Sequence, residues 1–128
     1  MRTLLLCFLL VLAVVPAAAQ PAADPPRELF LFLYRPGPAW VAGRPMNQQN
    51  LRPHAEYHAM LVREGRSVAG GGFVGREEGM AIVRAANLAE AEAMLAADPA
   101  IVNGVFAAEL RQWAPRFHSD APLVERRP

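Results

Sequence analysis

The chain predicts an α+β domain, with elements in the order strand, helix, strand, strand, helix, strand. Three observations carry the prediction. Apolar runs of strand length are bounded by Gly and Pro, two amphipathic segments open at Pro53 and Asn87, and the Gly75–Gly79 turn joins two of the runs. Charged residues make up 20% of the chain and the net charge is +1, with every basic side chain an arginine scattered among a similar number of acids. No basic stripe therefore points to nucleic acid.

Taken in order, Glu28 to Arg35 (ELFLFLYR) is an apolar, aromatic run stopped by Pro36-Gly37-Pro38, which predicts the first strand. The loop through Trp40 and Pro45 is long for a compact domain, and such loops often carry function. Pro53 suits the first turn of a helix, where its missing N–H costs nothing. Leu51, Ala55, His58 and Val62 then recur at helical spacing, and Gly65 ends the helix. Ser67 to Val74 and Gly79 to Ala85 form a hairpin. Asn87 with Glu90 is a start signal for a second helix, Leu88 to Ala97, and Pro99 stops it. Val105 to Trp113 is the last strand. This order is the split-βαβ, ferredoxin-like arrangement.

The ends read differently from the middle. Arg2, the apolar run Leu4 to Val15 and the small residues Ala17 to Ala19 form the pattern of a secretory signal peptide over residues 1–19. The run is short for a bilayer span, and no later segment resembles one, so an exported, periplasmic or secreted chain free of the membrane after cleavage is expected. Cleavage removes Cys7, the only cysteine, so no disulfide supports the mature fold. Residues 20–27 are a Pro- and Ala-rich flexible lead. Residues 28–113 form the domain, and 114–128 are a polar tail with three prolines.

Leu29 to Leu33 places apolar groups on both faces of the first strand, and Met80 to Val83 does so on the third. In this fold helices cover one face only. The other needs a partner, most simply a second copy packed sheet against sheet as a homodimer; the alternative is a monomer with the tail folded over the open face.

Topology also selects candidate site residues. The start of the first helix, the end of the second and the ends of the first two strands share one rim, which brings together His54, Asp98, Arg35 and Gly70 to Gly72. His54 in a first helical turn is favoured as a neutral, basic imidazole. Asp98 at a helix C-terminus is disfavoured as a carboxylate and needs His54 or Arg35 to compensate; the plain reading is a local turn bond before Pro99. His58, one turn beyond His54, stands where the stripe wants leucine. It reads as a half-buried histidine or a second polar group of the pocket. A histidine pair at this spacing is also a metal geometry, but no further His or Cys is suitably spaced, so no metal is expected. Trp40 either lids the pocket or anchors its loop. Trp113 falls at the opposite rim as core or dimer packing, and His118 lies in the solvated tail. Gly70-Gly71-Gly72 lacks the following helix of a phosphate loop and permits either a bulge or close approach of a small-molecule ligand to backbone. No cofactor motif is present.

These residues carry a family resemblance. YRPGPAW at Tyr34 to Trp40, the helix with His54 eleven positions before Gly65, AGGGF at Ala69 to Phe73 and DPAIVNGVF at Asp98 to Phe106 resemble the YCII-related (YciI-like) family. The resemblance implies a dimeric α/β-barrel of two ferredoxin-like subunits, with a pocket built on the family's histidine, here His54, and the aspartate of its Asp-Pro motif, here Asp98. The family commonly has Gly-Pro where this chain has Gly71-Gly72, and a hydrophobic residue in place of His58. A few relatives act on small ring compounds, which extends to this chain as an expectation only.

Three functions compete. One is an exported, cofactor-independent lyase, isomerase or dehydrohalogenase with His54 as base or acid, Asp98 orienting it and Arg35 holding an anionic group. The second is a non-catalytic pocket capturing a small metabolite. The third is a structural dimer with an incidental polar rim.

Overall fold

The computed structural model describes residues 27–123. The expected leader, all but the last residue of the flexible lead and the end of the tail (124–128) lie outside them. The order of elements is β1 (Glu28–Pro36), a 3-10 turn (Met46–Gln48), α1 (Arg52–Arg63), β2 (Ser67–Gly72), β3 (Gly79–Ala85), α2 (Leu88–Ala96), α3 (Pro99–Val102) and β4 (Phe106–Trp113). The four strands form one antiparallel sheet in the order β2-β3-β1-β4. This is an α+β architecture compatible with the ferredoxin-like arrangement.

Alternation along β1 divides the sheet into two faces. Phe30, Phe32 and Tyr34 are buried in one cluster with Val83 of β3, Leu61 of α1 and Met94 of α2. Full burial of each such apolar side chain is worth roughly 1.5–3 kcal/mol, so this layer is the core. Leu29, Leu31 and Leu33 look the other way and stay half-buried, with Leu31 opposite Ile82 and Leu33 opposite Met80. Arg111 and Glu109 of β4 pair with each other along the flank of that apolar strip.

The local signals act as their chemistry requires. The Asn87 side chain accepts from the Glu90 N–H at 2.9 Å, and Glu90 accepts from the Ala86 N–H at 2.6 Å, closing the N-terminus of α2. Gly65 takes φ +68° just beyond α1. Gly79 lets β2 and β3 meet closely, since a β-carbon there would sit 2.7 Å from the Gly71 carbonyl oxygen. β2 lies at the sheet edge and carries a register shift between Ser67 and Ala69.

Three expectations are corrected. The buried edge of α1 is not the Leu51-Ala55-His58-Val62 stripe: Leu61 is fully buried, whereas Val62 is 57% exposed and Ala55 is exposed. An apolar count along the sequence passes over His54, which faces inward because a buried carboxylate receives it. The second helix ends at Ala96, and a one-turn α3 follows where only a turn is expected. Asp98 is therefore not stranded at a helix C-terminus. It is the N-cap of α3, accepting from the Ala100 N–H at 2.9 Å, with Pro99 in the first turn. Finally, β2 stops at Gly72 and β4 starts at Phe106, one to two residues inside the expected limits.

Candidate functional site

A cleft of about 340 Å³ opens between α1 and the β2–β3 side of the sheet. Leu51, Ala55, Ala59 and Val62 form its α1 wall; the stripe expected to face the core faces this space instead. Gly70, Gly72 and Ala81 leave the sheet side without bulk, and Met46 and Phe106 supply further apolar wall. Gln49 pins the loop that brings Met46 there: its side chain accepts from the Val41 N–H and donates to the Val41 and Arg44 carbonyls.

The polar chemistry is gathered around Asp98, which is completely buried. Its Oδ1 accepts from the Ala100 N–H, while His54 Nδ1 lies 2.9 Å from Oδ1 and 2.8 Å from Oδ2. Tyr34 Oη donates to Oδ2 at 2.9 Å, and His58 Nε2 lies 3.0 Å from Tyr34 Oη and 3.4 Å from Oδ2. Since Tyr34 gives its proton to the carboxylate, its oxygen accepts from a proton on His58 Nε2. His54 likewise presents a proton at Nδ1 to Asp98, leaving Nε2 as its other face.

The two acids of the cluster are driven apart. Burial alone pushes the Asp98 carboxyl up, but hydrogen bonds from His54 and His58, the nearby His54 charge and the Ala100 N–H outweigh it and hold the group well below the usual carboxylate range. Tyr34 moves the opposite way: burial raises it first, and the charge and hydrogen bond of Asp98 raise it further. At neutral pH the centre is a carboxylate with a neutral phenol donating to it.

His54, Asp98, His58, Gly70 and Gly71 are thus gathered in or directly behind the cleft. Two expected members are not. Arg35 is exposed and shares the sheet face of Leu29, Leu31 and Leu33, opposite to Tyr34, because adjacent residues of a strand point to opposite sides. Topology puts its backbone at the right rim without fixing its face. Trp40 stands one layer behind, its ring stacked on Phe106 at 5.6 Å, so it anchors the loop. Tyr34 was missed altogether. Its signal was a lone hydroxyl on the Phe30–Phe32 side of an otherwise apolar strand.

His54, His58 and Asp98 offer three ligand atoms within 4.8 Å of one another, the donor types and number of an open zinc site.

Fold and site together define a small α+β domain with an apolar cleft over a buried carboxylate–histidine–tyrosine cluster. The model of the YCII-related domain matches residues 29–114, and the chain belongs to that family. No curated protein and no solved structure matches the chain.

Proposed function

We propose that the protein is a cofactor-independent acid–base catalyst acting on a small molecule held in the cleft. One observation carries the reading: a fully buried carboxylate, Asp98, receives His54 Nδ1 at 2.8 and 2.9 Å. This pairing fixes the ring and its tautomer, makes Nε2 the basic nitrogen and stabilises the imidazolium that forms when Nε2 takes a proton. Proton abstraction from carbon beside a carbonyl, as in a lyase or isomerase, is the chemistry such a base serves. Among the described residues the cleft walls carry no Arg, Lys, Asp or Glu, which favours a small ring compound over an anion.

The catalyst would work as an exported homodimer. The apolar strip of Leu29, Leu31, Leu33 and Ile82 supports pairing through the open sheet face, and the tripartite pattern of residues 1–19 supports export. The largely apolar cleft also favours a second reading, capture of a small hydrophobic metabolite without turnover.

Exchange of the α-protons of cyclohexanone in D2O, followed by NMR, separates the readings. His54→Ala is expected to lower the protein-dependent rate by roughly 100-fold or more with the fold intact. Asp98→Asn should reduce exchange more than ketone affinity. Exchange unaltered in His54→Ala rejects the catalytic reading, and ketone binding with no exchange in the unmodified protein selects capture.

A further inference from the structure

The buried carboxylate serves two histidines, and the function proposed above uses one. His58 lies one helical turn beyond His54 with ring centroids 4.6 Å apart, and both rings line the same cleft. Their wiring is parallel. His54 turns Nδ1 to Asp98 and keeps Nε2 outward; His58 turns Nε2 to Tyr34 and Asp98 and keeps Nδ1 outward. Among the described residues the buried side-chain nitrogens and oxygens without a partner are Trp40 Nε1 and Arg66 Nε. Neither outward histidine nitrogen is one of them, so both are reachable from outside the cluster.

Charge gives this pair a division of labour. The titratable groups around His58 are His54 and Tyr57 of its own helix, Tyr34 of β1, and Asp98. Of these only Asp98 is an acid ionised at neutral pH, and one carboxylate balances one imidazolium. The reactive state assigned to the pair is Asp98 ionised, one ring carrying the proton to be given and one ring free to accept. A base and an acid then stand side by side over the cleft, their ring centroids 4.6 Å apart.

We propose that His58 is a second proton-transfer residue, the acid partner of His54, and that the substrate class is an uncharged, one-ring-sized β-hydroxy carbonyl compound that loses water. The proposal rests on the reading of His54 and Asp98 as an acid–base pair. In the step, His54 Nε2 takes the proton from the carbon between carbonyl and carbinol. The electron pair of that C–H bond becomes the new C=C bond, the C–O bond breaks, and the departing oxygen takes the proton from His58 Nδ1 and leaves as water. His54 is then protonated and His58 neutral; one proton passed back, through Asp98 or solvent, restores the start. No oxidant, reductant or further reactant is needed. The uncharged substrate is favoured by the cleft, whose described walls carry no Arg, Lys, Asp or Glu and whose volume of about 340 Å³ lies near the lower end for small-molecule sites.

The test uses two small ketones and the full mature chain. Cyclohexanone α-exchange in D2O reports the base alone, whereas dehydration of 3-hydroxycyclohexanone to 2-cyclohexenone, read by enone absorbance, needs the acid as well. His58→Gln keeps an N–H to offer Tyr34 but carries no transferable proton. It is expected to lower dehydration by roughly 100-fold or more, and by a larger factor than it lowers exchange. Dehydration unchanged in His58→Gln overturns the proposal while the His54–Asp98 reading stands. Exchange unchanged in His54→Ala overturns that underlying reading instead, and no dehydration by the unmodified protein overturns the substrate class. Nitrogen-15 NMR of the histidine rings in the unmodified protein tests the wiring without any variant: a proton on Nε2 of His58 is expected, and its absence overturns the assignment.

Discussion

Replacing Asp98 by Asn keeps the shape of the side chain and removes its charge, which makes it the sharpest probe of the buried cluster. The carboxylate receives Tyr34 Oη at 2.9 Å, His54 Nδ1 at 2.8 Å and the Ala100 N–H at 2.9 Å, with His58 Nε2 at 3.4 Å. An asparagine oxygen still caps α3 through Ala100, but its amide N–H2 then faces donors. Two charge-assisted bonds are lost at roughly 1.5–3 kcal/mol each, and Tyr34 recovers part by turning its hydroxyl to accept. The net cost should be about 3–5 kcal/mol, the range for breaking a buried ion pair on one side.

The cost should also depend on pH. Folding depresses the Asp98 carboxyl below its ordinary value of 3.8. The native state therefore binds that proton less readily than the unfolded chain. The contribution is fully present above that value and is lost as the pH falls below it. Urea unfolding followed by the fluorescence of Trp40 and Trp113, at equal protein concentration, measures the difference between the two proteins. It should shrink steadily below about pH 4. An Asp98→Asn protein as stable as the original at pH 7, or a difference that persists undiminished in acid, would refute the ionised, multiply bonded Asp98.

Tyr34→Phe should cost roughly 1.5–3 kcal/mol by the same unfolding assay. It should also lessen the loss of stability above about pH 10, because the raised Tyr34 hydroxyl favours the native state only until the unfolded tyrosine ionises. Gly70→Leu places its β-carbon 3.4 Å from that of Ala81 and directs the rest of the chain into the cleft. Cyclohexanone binding, measured by calorimetry, should fall at least tenfold (about 1.4 kcal/mol) with a native circular-dichroism spectrum. Leu31→Asp puts a charge at the centre of the open sheet face. Light scattering should show a dimer for the original chain and a monomer or aggregate for the variant; a folded monomer at high concentration for the original chain would remove the proposed pairing.

What could be read from the sequence divides by physical cause. β1, the hairpin and the start of α2 were legible because their signals are local: alternating burial, a glycine turn, and Asn87 three residues before Glu90. The meeting of His54 with Asp98 was legible from topology, since strand and helix directions fix which ends share a rim. The face of Arg35 depended on strand phase, which a strand apolar on both sides does not reveal. The inward turn of His54 and the role of Tyr34 each depended on a partner 44 or 64 residues away. Helical periodicity favours leucine over histidine at such a position, and nothing near Asp98 in the sequence announces α3. For the same reason the expectation that Asp98 is electrostatically disfavoured was reversed: four helical residues turned the end of one helix into the start of the next.

The glycine-rich edge strand has a consequence beyond the cleft. A sheet edge is a row of unsatisfied backbone groups that any extended chain can extend, and a domain without disulfides is exposed to that risk each time it breathes. β2 has only six residues, half of them the glycines Gly70 to Gly72, and its register breaks between Ser67 and Ala69. Such a strand is a poor template, because it is short, entropically reluctant and out of step with a regular partner. The same absence of side chains that hollows out the cleft thus makes this edge resistant to runaway strand addition.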